Sequence, residues 1–184
     1  MCGSKNLNTI LNLGMHPLVN RLINKENLDN KDFFFPLILT RCKKCSLIQL
    51  NQFVDPKNIY VDQDYTYFSS DINAQILYFQ NYAYELINKF NIKKKFVIEI
   101  GSNDGIMLKH FTKNNIVLGV DPATNVVLRA LKNKVNTIPS FYNYEISKKI
   151  RNEYGKADLI IANNCIAHTN DLEDLLKGIK NNLC

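Results

Sequence analysis

Apolar positions in this chain fall into runs of two periods, and the order of those runs predicts a layered α/β fold. From Phe96 to Ile100 every position but Glu99 is apolar and β-favouring, the signature of a strand covered on both faces. Val117–Asp121 has the same character and ends in a carboxylate. Before them, Ile72, Ile76, Leu77, Phe79, Tyr82, Ala83, Leu86, Ile87 and Phe90 recur at helical spacing, with Asp71 placed as N-cap. After them the pattern predicts a helix near 124–134, a short strand near 135–138, a helix over 144–154, a buried strand over 157–162 and a helix from about Asp171. This alternation is a βαβ series, which forms a parallel sheet and binds ligands at the carboxyl ends of its strands.

Residues 1–58 read differently. They lack long helical periodicity and carry strand signals at 33–39 and 47–50. Arg41-Cys-Lys-Lys-Cys45 is a C-x2-C knuckle, and Cys2-Gly-Ser resembles the second half of another. Two knuckles bring four thiolates around a tetrahedral zinc, so Cys2, Cys42 and Cys45 are the metal-ligand candidates for a structural Zn2+ site within a small ribbon-like subdomain. The spacing expects a fourth cysteine three positions before Cys2, where the chain given has none. His16, in Leu13-Gly-Met-His-Pro17, is the alternative fourth ligand; a loop or cofactor-facing role suits it equally. The expected organisation is a zinc-binding subdomain at 1–58, a connector and helix at 59–92, and the first part of a cofactor-binding sheet domain at 93–184.

The chemistry concentrates after the first central strand. Gly101 and Gly105 bracket Ser102, Asn103 and Asp104, and a turn without Cβ atoms at its ends lets the backbone approach a ligand closely. A helix is expected from about 104–106, with Ile106, Met107, His110 and Phe111 toward the sheet. Dinucleotides are bound by G-x-G-x-x-G, whose helix N–H groups receive a pyrophosphate. This loop has other spacing and carries Asp104, which disfavours a pyrophosphate and argues against an NAD-dependent enzyme. An acid there suits a cationic or zwitterionic ligand such as the aminoacyl sulfonium of S-adenosylmethionine (SAM), and Asp121 can accept hydrogen bonds from a ribose diol. Each glycine alone suits an ordinary turn equally well; the series of strand, turn, helix, strand and acid carries the cofactor reading. Asn163, Asn164 and His168 fall at the same sheet edge. Cys165 reads as a small buried filler, and His110 as a partly buried packing residue.

Composition narrows the classes further. The net charge of +6 comes mainly from dispersed lysines without an arginine stripe, so nucleic-acid binding is not expected. No apolar run approaches the length of a membrane span and no secretory leader is evident, so the expectation is a cytoplasmic protein without membrane association. Five cysteines in that setting do not imply disulfides.

Taken in order, Cys2-Gly-Ser, Leu13-Gly-Met-His-Pro-Leu-Val-Asn20, Phe35-Pro-Leu, Cys42 with Cys45, Leu47-Ile-Gln-Leu50, Tyr65-Thr-Tyr-Phe-Ser-Ser70, Glu99-Ile-Gly-Ser-Asn-Asp-Gly105, Gly119-Val-Asp-Pro-Ala123 and Asn163-Asn-Cys-Ile-Ala-His168 resemble the SAM-dependent sugar C-methyltransferases. The resemblance implies a zinc-binding domain, a Rossmann-like SAM domain and a C-terminal domain, acting on carbon next to a ketone of a nucleotide-activated deoxysugar. It places Glu99, Gly101, Ser102, Asn103, Asp104 and Gly105 around the methionine part of SAM and Asp121 at the ribose. Asn163 and His168 would close the far side, and Tyr65, Tyr67, Ser69 and Ser70 would line the cleft; a tyrosine cluster packing between domains is the alternative. The family's base is a His in a Tyr- and His-containing motif beyond the fourth strand, and no residue here matches it, so no catalytic residue is assigned; His168 suits positioning better than proton abstraction. The expectation is an incomplete sheet of about four strands with an apolar edge beside Leu159, Ile160 and Ile161. Such a chain would be a C-methyltransferase fragment, served by a second chain that supplies the rest, or a non-catalytic SAM- and zinc-binding module.

Overall fold

The structure is a computed structural model that describes every residue except Met1, Asn24, Asn30, Lys31 and Gln63, and the side chain of Asn27. It divides into two compact units, residues 1–66 and 67–184.

In the first unit, β1 (Leu7–Pro17), β2 (Phe34–Cys42) and β3 (Ile48–Leu50) form an antiparallel sheet in that order. A short helix, α1 (Pro56–Tyr60), follows, capped by the Asp55 side chain and opened by proline. β1 has no counterpart in the sequence-based expectation. Its apolar residues alternate poorly because the strand slips register twice, between Thr9 and Leu11 and between Asn12 and Met15, so the period-2 signal is broken at Gly14. The segment Leu13–Pro17, for which the sequence leaves a loop or cofactor-facing role open, is the end of a strand.

The second unit has α2 (Asn73–Lys89), β4 (Phe96–Ile100), β5 (Ile116–Asp121), α3 (Thr124–Lys132), β6 (Thr137–Pro139), α4 (Tyr144–Tyr154), β7 (Leu159–Ile161) and α5 (Leu172–Asn182). The sheet order is β6-β5-β4-β7, all parallel, with Ile98 opposite both Leu118 and Ile160. Successive β4 side chains enter opposite cores. Val97 joins Ala83, Met107, Phe111 and Val135 on the α2 face, whereas Phe96, Ile98 and Ile100 join Leu118, Val120, Tyr142, Ile150 and Leu175 on the α4–α5 face. This is a Rossmann-like α/β sheet, and full burial of each such aliphatic side chain contributes about 1.5–3 kcal/mol. Residues Leu183 and Ala157 form one further parallel bridge beside the start of β7.

Two local expectations are corrected. The segment after Gly105 does not form a regular helix; it is a series of turns ending in a 3-10 turn, Leu108–His110. The Lys109 N–H bonds four residues back, to the Gly105 carbonyl, but the next two bond three back (His110 to Met107, Phe111 to Leu108), while Thr112 and Asn115 side chains bond the Lys109 and Phe111 carbonyls that a helix would need. Ile106, Met107 and Phe111 are nevertheless buried, as their apolarity requires. Asp71 is not the N-cap of α2 either. Ile72 holds that position without a side-chain bond, and Asp71 lies in a 3-10 turn, Ser69–Asp71, where it pairs with Arg129.

The α4–α5 face contains a buried polar link. The Tyr142 hydroxyl donates to Asn182 Oδ1 at 2.7 Å, and Asn182 Nδ2 donates to the Ser147 carbonyl at 2.9 Å. Burial raises the Tyr142 phenol well above the usual tyrosine range. Tyr142→Phe leaves the fully buried Asn182 oxygen without its donor and is expected to cost about 1–3 kcal/mol in urea unfolding, whereas an unchanged midpoint would show the link to be energetically idle.

Candidate functional site

The site is built on the turn that leaves β4. Gly101 (φ +67°) and Gly105 (φ +77°) both occupy the left-handed region. A Cβ on Gly101 would stand 2.7 Å from Cys165 Cβ, and one on Gly105 would stand 2.9 Å from Val135, so neither position tolerates a side chain. Asn103 is also left-handed, at φ +49°. Its N–H donates to Asp121 Oδ2 at 2.9 Å, which ties the β4 turn to the end of β5. The other carboxylate oxygen of Asp121 accepts from the Ala123 N–H at 3.0 Å. Each oxygen retains a second lone pair.

A strap formed by Tyr67–Asp71 lies on this turn. Asn103 Oδ1 accepts from the Ser69 N–H at 2.8 Å, and Asn103 Nδ2 donates to the Tyr67 carbonyl at 3.1 Å. The Ser70 N–H (3.1 Å) and hydroxyl both donate to Asp104 Oδ2. Tyr67 also accepts from Gln75 Nε2 through its hydroxyl, at 2.6 Å. The structure thus brings Tyr67, Ser69, Gly101, Ser102, Asn103, Asp104, Gly105 and Asp121 to one place.

Glu99 and Asn163 complete the inner wall. Asn163 Nδ2 lies 3.5 Å from Glu99 Oε1 and 3.2 Å from Met107 Sδ. His168 is placed differently: its side chain is exposed on a 3-10 turn, Ile166–His168, and takes no part in these contacts. Cys165, whose thiol donates to the Ile100 carbonyl at 3.2 Å, packs beneath Gly101. Ser70, named with the cleft-lining residues, bonds Asp104 directly, and Cys165, read as a small buried filler, packs against Gly101.

The electrostatics of this place are unusual. Glu99, Ser102 and Asp104 are all nine-tenths or more buried, and Glu99 Oε2, Ser102 Oγ and Asp104 Oδ1 have no hydrogen-bond partner. Burial, with the charges of Asp121 and Asp104, pushes the Glu99 carboxyl up to about 8 against the bond from Asn163. Burial likewise raises Asp121, opposed by its two backbone donors. Cys165 is pushed up to about 11 by burial and then by Glu99 and Asp121, which makes it a poor nucleophile. A half-buried His110 is lowered by burial and stands edge-on to Tyr84, 5.6 Å between rings. Buried acceptors that lack donors, beside a Glu99 carboxyl raised by burial and by its acidic neighbours, form a cradle suited to a cation bearing N–H groups.

In the first unit, the thiols of Cys2, Cys42 and Cys45 lie within 4.8 Å of one another, with Cys2 Sγ and Cys42 Sγ at 3.6 Å. The knuckle closes through the Ser46 N–H to the Cys42 carbonyl (2.9 Å), with Ser46 left-handed. Backbone N–H groups of Cys45 and Lys44 draw the Cys42 thiol down to about 7. Cluster spacing and sulfur chemistry both fit Zn2+. His16 does not reach this group: it pairs with Phe35, seven residues along β2 from Cys42, or roughly 23 Å at strand rise, and its Nε2 meets the Leu13 carbonyl at 2.8 Å.

Comparison with known proteins agrees with both halves. Residues 1–60 match a family described as "Putative zinc binding domain", and residues 73–183 match one described as "Methyltransferase domain". Over 181 residues the chain is 28% identical to C-methyltransferase NovU of Streptomyces niveus, covering 97% of this chain and 43% of that protein. The chain therefore spans less than half the length of that relative. Among solved structures, the plantazolicin methyltransferase BpumL in complex with SAH superposes with a TM-score of 0.50 at 18% identity, covering 67% of this chain and 51% of the other. Magnesium protoporphyrin IX methyltransferase from Synechocystis PCC 6803, with bound SAM, gives 0.47 at 15% identity, covering 69% and 64%. No helix among the described residues is long and apolar enough to cross a membrane. By its match over residues 73–183, the chain belongs to the methyltransferase-domain family.

Proposed function

We propose that this chain is the cofactor-holding part of a SAM-dependent C-methyltransferase that acts next to the ketone of a nucleotide-activated deoxysugar. One observation carries the cofactor reading: Glu99, Asp104 and Asp121 converge at the β4 turn, Glu99 and Asp104 each with one buried oxygen that lacks a hydrogen-bond partner, and among the described residues no cationic side chain is bonded to them. SAM, when bound, supplies an electrophilic methyl group on a sulfonium. Asp104 and Glu99 would hold its ammonium end, where the donors and the positive charge answer their free oxygens. Asp121 would take the ribose hydroxyls on its remaining lone pairs, and Tyr67, Ser69 and Asn163 would bound the pocket. Transfer to carbon is supported by the kinship with the C-methyltransferase named above, and the sugar substrate by the motif resemblance of the sequence. Activity on such a sugar needs a base and a sugar site from a further polypeptide segment, in the same protein or a second chain.

The zinc-binding unit, by this reading, takes Zn2+ on Cys2, Cys42 and Cys45 for a structural purpose. No base-bearing motif accompanies the thiols.

Calorimetric titration of the purified chain with SAM is expected to show saturable binding, undiminished by NADH. Absence of heat from folded protein would overturn the cofactor reading. Zinc analysis is expected to find bound metal in the wild type and loss of it in Cys42→Ser, with amide protection lost in residues 1–66 and kept in 67–184. Equal metal content in the two proteins would refute the site.

Glu99 allows a test by pH. Its folded pKa, about 8, lies above the ordinary 4.5, so between those values the folded state carries a proton that the unfolded state has released. The contribution of Glu99 to stability is therefore fully present below about pH 4.5 and is lost as pH rises through about 8. Glu99→Gln is expected to flatten this fall in thermal unfolding and to weaken SAM by about tenfold, about 1.4 kcal/mol for one lost charged contact. Parallel pH profiles in the two proteins would contradict the argument.

A further inference from the structure

The strap over the β4 turn is held from its outer side by a residue that neither the sequence motifs nor the family match singles out. Arg129, in α3, places its guanidinium carbon 3.6 Å from the centre of the Phe68 ring. The same side chain puts Nη1 2.5 Å from Asp71 Oδ1. Phe68 and Asp71 flank Ser69 and Ser70, the two residues whose N–H groups engage Asn103 and Asp104. The strap's own internal bonds are long, 3.2 Å from the Asp71 N–H to the Phe68 carbonyl and 3.4 Å from the Ile72 N–H to the Ser69 carbonyl. Its conformation is consequently set by what grips it from outside.

The contacts close into a ring. Asn103 bonds Asp121 at the end of β5, the chain runs from Asp121 through Ala123 into α3, α3 carries Arg129, and Arg129 returns to the strap that caps Asn103 and Asp104. We propose that Arg129 is a positioning residue for the SAM site, keeping the Tyr67–Asp71 strap closed over the turn and releasing it to admit the ligand. The inference rests on the cofactor reading above. If the strap lifts, Asp104 Oδ2 loses both Ser70 donors while Asp104 itself stays buried, so the carboxylate that would receive the ammonium is no longer held in one orientation. An exposed ion pair alone would contribute little, and Asp71 is well exposed. What distinguishes this contact is a planar guanidinium that stacks and pairs at once, which lysine does not reproduce.

The test compares Arg129→Ala, Arg129→Lys and, as a control on an exposed neighbour in the same helix, Leu128→Ala. Hydrogen exchange of the ligand-free proteins is read at residues 69–71 and 103–105, and SAM affinity is read by calorimetry. In Arg129→Ala those amides are expected to exchange about tenfold faster and SAM to bind about tenfold more weakly, with partial recovery in the lysine variant and no effect in the control. Exchange at 69–71 that matches the wild type overturns the proposal, as does faster exchange spread through β4 and β5, which would mark general destabilisation. Should the wild type bind no SAM, the ligand reading fails by that result alone, while the exchange data still decide whether Arg129 holds the strap.

Discussion

The candidate site depends on the reversal of the main chain at Gly101. β4 and β5 run parallel in register from Phe96 opposite Ile116 to Ile100 opposite Val120, and the Gly101 N–H completes the ladder by donating to the Val120 carbonyl at 2.8 Å. The chain must then leave the sheet without colliding with Cys165 below it, and a left-handed residue lacking Cβ satisfies both demands. From there Asn103 reaches Asp121, and the turn is locked to the neighbouring strand. A side chain at Gly101 would displace the turn, and with it the acceptors gathered there.

The turn then gathers charge that the fold by itself has no use for. Leaving a buried polar atom without a partner costs about 1–3 kcal/mol, and more when the group is ionised. Glu99 and Asp104 each keep one such oxygen. Glu99 stands in register with Gly119, and an apolar residue there would pack against Val97 and Met107 at no such cost. Structural economy thus does not explain the carboxyl, which is the ground for the cationic ligand proposed above. The same logic separates Asp121, whose two backbone donors give it a structural function, from Glu99, which has only a long contact from Asn163.

What was legible in the sequence follows the strength of local signals. Continuous apolar runs announced β4 and β5, and the alternation of elements announced α4 and α5, which the structure shows capped by Asn143 and Asp171 through the Ile146 and Asp174 N–H groups. β1 was hidden because its bulges interrupt alternation. The turns after Gly105 were hidden because Ile106, Met107 and Phe111 are buried at spacings that a helix would also produce, while side-chain competition for the carbonyls decides the backbone. The motif residues Gly101, Asn103, Asp104 and Asp121 could be named in advance. Arg129 could not, since its partners Phe68 and Asp71 lie about sixty residues away and no local pattern links them.

The two units are stabilised by different means, and this bears on the thiols. The second unit has a core on each face of its sheet, with Val97, Ile98, Met107, Leu108 and Leu118 fully enclosed. In the first unit the only buried hydrophobic residue among those described is Cys42, while Ile10, Leu11, Leu13, Met15 and Phe34 on its sheet are substantially exposed. At about 25 cal/mol per Å2 of apolar surface, a sheet that covers so little cannot offset the conformational entropy of ordering some sixty residues. Small domains in this position are commonly completed by a metal whose binding free energy is also folding free energy. The cysteines sit where that coupling is most effective: Cys42 at the end of β2, opposite Leu7 of β1, Cys45 in the turn that leads to β3, and Cys2 ahead of β1. A metal at that corner would join all three strands, and the order of the first unit would then follow from metal chemistry in the way that the order of the second follows from packing.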